Sequence, residues 1–153
     1  NQHPSLIQRG DGSILALIRP SGQHPNVLRS VSHDNGYTWS EVEITENHCP
    51  YAALDAILLQ DGRIVMVWND HPKHRNPLTL GLSQDGGKTW SHKRDLIRGE
   101  GSFHYPAIIQ TNDGLIHLTF TNNRQTIDHV VLTPDWIEGA GGSGVLQDAC
   151  RRS

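Results

Sequence analysis

The side chains with chemistry to offer in this 153-residue sequence are His3, Arg19, Asp55, Arg75 and Tyr105, accompanied by His24, His48, His71, His74 and His104. An imidazole exchanges protons near neutrality. A carboxylate such as Asp55 serves as acid or base, and a guanidinium grips an anion through a planar fork of N–H donors. Arg19 and Arg75 are equally suited to capping loop carbonyls or pairing with Asp55 and Asp70, and Tyr105, directly before Pro106, to packing as a rim aromatic. Metal chemistry is not indicated, because the histidines come from separate segments without a ligand-like His-x-x-x-His spacing. Neither zinc, calcium nor another cofactor is expected.

These residues are joined by a repeat. The pattern Ser-x-Asp-x-Gly-x-Thr-Trp stands at Ser32–Trp39 and again at Ser83–Trp90, and an Asp-Gly pair after an apolar run recurs at Asp11-Gly12, Asp61-Gly62 and Asp113-Gly114. A period near 50 with several short strands in each unit predicts an all-β fold of propeller blades, each a four-stranded antiparallel sheet. In the octapeptide the Asp accepts from the turn's own amides, the Gly takes a positive φ, and Trp39 or Trp90 forms a buried plug. Blades are expected at about 1–48, 49–101 and 102–139, with a flexible Gly-rich tail over 140–153. Strands are expected at about 5–9, 14–19, 27–32 and 41–45 in the first unit. The second has them at 54–60, 63–69, 78–83 and 92–97, and the third at 107–111, 115–121 and 127–132. The run Ile64-Val65-Met66-Val67-Trp68 suits a sheet buried on both faces. The third unit shows no fourth strand, and Thr133-Pro134-Asp135-Trp136 stands where a third octapeptide would fall. In such blades the octapeptides and Asp-Gly turns occupy one rim. Strand-one starts, strand-two ends and two-to-three loops occupy the other, and that second rim holds all the residues named above.

Composition narrows the partners. The hydrophobic content of 35% with 15 Gly and 8 Pro is that of a turn-rich, strand-rich chain. A net charge of −3 without a basic block disfavours nucleic acid and anionic membrane surfaces, and no apolar run approaches a membrane span. Cys49 and Cys150 make no metal-like pair.

Three segments together resemble the sialidase (neuraminidase) superfamily, six-bladed propellers with Asp-box, or BNR, repeats, over roughly residues 2–138. His3-Pro4-Ser5-Leu6-Ile7 through Leu17-Ile18-Arg19 resembles the segment that begins Asn-Glu-Pro and ends in an arginine of the carboxylate-binding triad. Asn69 through Arg75-Asn76-Pro77-Leu78 resembles the loop of another triad arginine, and Ser102-Phe103-His104-Tyr105-Pro106 that of the nucleophilic tyrosine. The resemblance therefore implies Arg19 and Arg75 as substrate-binding residues and Tyr105 as nucleophile, acting on an acidic, sialic-acid-like sugar. Tyrosine suits that task, since a carboxylate nucleophile would be repelled by the substrate's own carboxylate. A phenol with a reference pKa of about 10 then needs a base. The family's activating Glu falls at His3, which becomes the candidate base. The family's first arginine and acid Asp belong to blades outside this chain, so Asp55, the only acidic residue at a strand-one start, is the candidate acid.

The chain resembles only the C-terminal half of such a propeller. Three blades leave two sheet faces open, and closure by a two-fold homodimer is expected, the alternative being a fragment that relied on a missing N-terminal half. The function expected is that of a sialidase-like protein acting on or binding acidic glycans. The alternative is a non-catalytic glycan-binding or structural propeller half.

Overall fold

The computed structural model describes residues 2–140 and 146–148. Twelve strands and one short helix follow in order: β1 (Gln2–Gln8), β2 (Ile14–Arg19), β3 (Asn26–Ser32), β4 (Glu43–His48), β5 (Asp55–Leu58), β6 (Ile64–Trp68), β7 (Leu78–Ser83), β8 (His92–Ile97), β9 (Phe103–Gln110), β10 (Ile116–Asn122), β11 (Thr126–Leu132), α1 (Pro134–Glu138) and β12 (Leu146–Asp148). They form three antiparallel sheets, β1-β2-β3-β4, β5-β6-β7-β8 and β9-β10-β11-β12. The innermost strands β1, β5 and β9 lie side by side, as the inner strands of adjacent blades do.

Burial explains the differing texture of the blades. The middle blade is packed on both sides, so every residue of β6 and β7 is buried. Ile7, Leu15, Leu17, Ile64, Met66 and Trp68 close the gap to the first blade. Val65, Val67, Leu80, Leu82, Phe103, Leu118 and Phe120 close the gap to the third. The outer blades bury one face, and Leu6, Ile44, Ile109 and Ile127 stay exposed. Gly81 is required by this packing: a Cβ there would lie 2.8 Å from the Trp68 ring and 3.3 Å from that of Trp90.

Each octapeptide folds onto its own carboxylate. Asp34 accepts from the Thr38 amide (2.8 Å) and hydroxyl (2.6 Å) and from the Ser32 hydroxyl (2.8 Å). Asp85 does the same with Thr89 and Ser83. The tryptophans differ from the expected buried plugs. Trp39 is 41% exposed and ties its indole N–H to the Gly36 carbonyl, whereas Trp90 packs at a tilt against Trp68. The difference follows from position, since Trp90 faces the filled gap between blades and Trp39 the open side of the first blade.

The third blade departs from expectation. Leu146–Asp148 pairs with β11 through His129↔Asp148 and Val131↔Leu146, so a fourth strand is supplied from the segment expected to be a flexible tail. The remainder of 140–153 beyond Ala140 lies outside the described residues. The Thr133–Trp136 stretch forms α1 because Thr133 is an N-cap whose hydroxyl accepts from the Trp136 amide, Pro134 opens the helix, and Gly139 closes it at φ 78°. Trp136 and Ile137 are buried against the second blade, where Arg94 lies 4.1 Å over the Trp136 ring.

Candidate functional site

The antiparallel order puts both octapeptides at one end of the sheets and His3, Arg19, Asp55, Arg75 and Tyr105 at the other. His3 and Tyr105 hold equivalent places there. Each precedes a proline, sits in the left-handed region (φ 55° and 50°), and lies at a register shift in the innermost strand. Left-handed backbone is costly for a residue with a Cβ, and such strain collects at ligand sites. Here a bulge withdraws one residue from the ladder. Tyr105 is 57% exposed.

Arg75 and Tyr105 meet. The guanidinium carbon of Arg75 is 5.8 Å from the Tyr105 ring centroid, and Arg75 Nη1 donates to His104 Nδ1 at 2.8 Å. The loop that carries Arg75 is stitched to β9, because the Phe103 amide donates to the Arg75 carbonyl at 2.8 Å. Arg19 ends β2, half-buried, and its side chain makes no hydrogen bond or ion pair among the described residues. Its place relative to Arg75 is reported by Cys49. Burial pushes that thiol up to about 11, and the charges of Arg19 and Arg75 both act on it in the opposite sense. The charges of both arginines, and in the opposite sense that of Asp70, reach this one buried thiol, and neither arginine forms an ion pair with a carboxylate among the described residues. Among the described residues Arg29 pairs with Glu43, Arg63 with Asp61 and Glu138, and Arg98 with Asp95, whereas Arg9, Arg94 and Arg124, like Arg19 and Arg75, have no carboxylate partner. Nearby Asp70 is engaged by Lys93 at 3.1 Å.

Asp55, the candidate acid, has a different task. Its Oδ1 accepts from the Ser5 hydroxyl (2.9 Å) and from the Ala56 amide (2.9 Å), and its Oδ2 from the Ile108 amide (3.0 Å). Ser5 belongs to β1 and Ile108 to β9, so one carboxylate ties the inner strands of all three blades together. With both oxygens committed it is a pin between blades, with no hydrogen bond or ion pair to Arg75 or Tyr105 among the described residues. His3 is exposed at the start of β1, with no hydrogen bond among the described residues. No group of three or more His, Cys, Asp or Glu side chains among the described residues is placed to hold a metal.

The structure gives His104, one of the rim histidines, a defined place in the site. His104 is only 4% exposed and bridges Arg75 and the Ser102 hydroxyl, the latter 2.8 Å from Nε2. Arg124 stands exposed in the turn of the β10–β11 hairpin, whose Asn123 exchanges hydrogen bonds with Ser102 (2.9 and 2.8 Å). Burial holds the His104 imidazole below its usual range, and the charges of Arg75 and Arg124 press in the same direction. Strand topology alone puts both His104 and Arg124 on this rim; the direction of the His104 side chain, toward Arg75, depends on the docking of the Arg75 loop and of the β10–β11 hairpin.

A family model for the BNR repeat-like domain matches residues 1–118. No curated protein matches the sequence. Among solved structures, the intramolecular trans-sialidase of Ruminococcus gnavus is similar with a TM-score of 0.76 at 19% identity, over 88% of this chain and 33% of that one. The NanB sialidase of Streptococcus pneumoniae is similar with a TM-score of 0.78 at 17% identity, over 88% of this chain and 23% of that one. The α-L-arabinofuranosidase Arb93A of Fusarium graminearum is similar with a TM-score of 0.60 at 15% identity, over 84% of this chain and 44% of that one. The chain spans a third or less of the length of the two sialidases.

Proposed function

The chain belongs to the BNR repeat-like domain family, and from that premise we propose that its mouth binds the carboxylate of an acidic, sialic-acid-like sugar through Arg19 and Arg75, with the Tyr105 ring beside it. The fold alone does not choose the ligand, since it is shared with both sialidases and an arabinofuranosidase. The observation that carries the reading is that Arg19, at the end of β2, and Arg75, in the β6–β7 loop, stand at the same end of the sheets with no carboxylate partner among the described residues. A half-buried guanidinium with no carboxylate partner favours an anionic guest, because the guest supplies the charge-assisted hydrogen bonds that the protein withholds.

Binding is favoured over turnover by one further observation. The Tyr105 hydroxyl has no hydrogen-bond partner among the described residues, and the neighbouring His104 ring has both nitrogens engaged. Nothing in contact is free to take the phenolic proton. A hydrolytic reading rests on His3, which shares the bulged, left-handed setting of Tyr105.

Calorimetric titration with N-acetylneuraminic acid tests the reading. Arg75→Ala should weaken binding by about 10–100-fold, the worth of a charge-assisted hydrogen bond. Unchanged affinity in both Arg19→Ala and Arg75→Ala would refute it. Turnover of a fluorogenic sialoside that is lost in Tyr105→Phe and in His3→Ala would establish the hydrolytic reading instead.

Closure of the ring is proposed to come from a second copy, which would cover Leu6 and Ile44 of the first blade and Ile109 and Ile127 of the third.

A further inference from the structure

Arg75 is the arginine of the mouth with a side-chain partner, and that partner is unusual: an imidazole in place of a carboxylate. A guanidinium has only donors, so His104 Nδ1 must present its lone pair, and the ring proton must sit on Nε2. From there it donates to the Ser102 hydroxyl at 2.8 Å. Ser102 is fixed in turn, since its amide donates to Asn123 Oδ1 and its carbonyl accepts from the Asn123 amide. Gly101 permits this contact: a Cβ there would meet Asn123 Oδ1 at 2.4 Å.

We propose that His104 is a positioning residue held as the neutral Nε2–H tautomer, which orients the Arg75 guanidinium toward the mouth without neutralising its charge. An aspartate in its place would orient Arg75 equally well but would compete with the sugar carboxylate for its charge. A neutral acceptor leaves the full cation to the ligand. The inference deepens the reading that Arg75 binds a carboxylate and rests on it for its functional meaning.

The arrangement carries a pH dependence. The charged and titratable groups around the ring are Arg75 from the β6–β7 loop and Tyr105 on its own strand, both against it, and Arg124 on the β10–β11 hairpin, whose charge reaches it. Both cations and the burial of the ring oppose protonation, so the neutral form persists below the usual imidazole range. When pH falls through that lowered value, Nδ1 gains a proton, the acceptor is lost, and two adjacent cations repel. Affinity for an acidic sugar is therefore full above this transition and falls below it.

Long-range ¹H–¹⁵N spectra of the imidazoles test the inference without any ligand. His104 should show the Nε2–H tautomer at neutral pH and titrate below the exposed histidines, and Arg75→Ala should raise its transition. An Nδ1–H tautomer, or a titration unaffected by Arg75→Ala, would overturn the proposal. Binding of N-acetylneuraminic acid supplies the functional arm. His104→Leu should weaken it about tenfold, as loss of a hydrogen bond to a charged group does. His104→Asn, whose carbonyl oxygen replaces Nδ1, should restore it to within about twofold on the same scale and remove the acid limb of the pH profile. Wild-type affinity in a folded His104→Leu variant would also overturn the proposal. If the wild-type protein binds no N-acetylneuraminic acid while the tautomer and its dependence on Arg75 are found, the positioning role stands and the ligand reading fails.

Discussion

Removing the Asp55 carboxylate distinguishes a pin between blades from an acid at the mouth. In Asp55→Ala the Ser5 hydroxyl and the Ile108 amide lose a partner in another blade, at 2.9 and 3.0 Å, and the Ala56 amide loses a local one. Hydrogen bonds to a charged group contribute about 1.5–3 kcal/mol each, and the half-buried setting of Asp55 places them at the lower end. Water rescues part of the loss at Ser5 but less at Ile108, whose amide lies between blades. A destabilisation of about 2–3 kcal/mol is expected on that basis. For a chain of this size each kcal/mol lowers the melting temperature by about 2–4 °C, so the fall should be about 4–12 °C. Asp55→Asn keeps an acceptor for Ile108 and offers Ser5 a donor, so it should lie between wild type and Asp55→Ala. Urea unfolding followed by circular dichroism gives the free energy directly. A change within about 0.5 kcal/mol, the range of an ordinary surface substitution, would refute the pin. So would an Asp55→Asn variant that melts like wild type yet loses turnover of a sialoside, because only an acid or base at the mouth would behave in that way.

Three further outcomes follow from the same coordinates. Gly81→Ala should destabilise by about 1–3 kcal/mol, because its methyl meets the Trp68 ring inside a filled gap, and tolerance of this change in urea unfolding would show that the gap is slack. Asp34 and Asp85 are both lowered to about 2, Asp34 by the Thr38 hydroxyl and amide, and Asp85 because its bonds to Thr89 and Ser83 outweigh burial. Folded values below the unfolded one stabilise fully above about pH 4 and lose that contribution as pH falls toward 2, so in Asp34→Asn/Asp85→Asn the urea midpoint should fall less between pH 5 and 2.5 than in wild type; parallel curves would exclude the mechanism. Light scattering should give the mass of a dimer at micromolar concentration, and Ile127→Asp should shift it toward the 17.0 kDa monomer; a wild-type monomer would exclude closure by a second copy.

Much of the architecture was legible in the sequence because its causes are local and repeated. An Asp that folds onto a Ser and a Thr a few residues away makes the same hairpin wherever the octapeptide occurs, so the period near 50 and the two-ended topology could be read before any strand was placed. The run Ile64–Trp68 announced a blade covered on both faces because only complete burial admits five consecutive large apolar residues. From these regularities Arg19, Arg75 and Tyr105 could be assigned to one rim. What the sequence could not show depends on contacts between segments that are distant along the chain. Asp55 looked like an available acid until Ser5 and Ile108, about fifty residues to either side, took up its lone pairs. Trp39 and Trp90 close the same motif, yet Trp39 is exposed and Trp90 partly buried, because only Trp90 has the neighbouring blade to pack on. The partner of Arg75 was likewise hidden, because a histidine next to a tyrosine has no prescribed direction. Only the docking of the Asn123 hairpin on Ser102, and of the Arg75 loop on Phe103, turns His104 into the acceptor that holds the cation at the mouth.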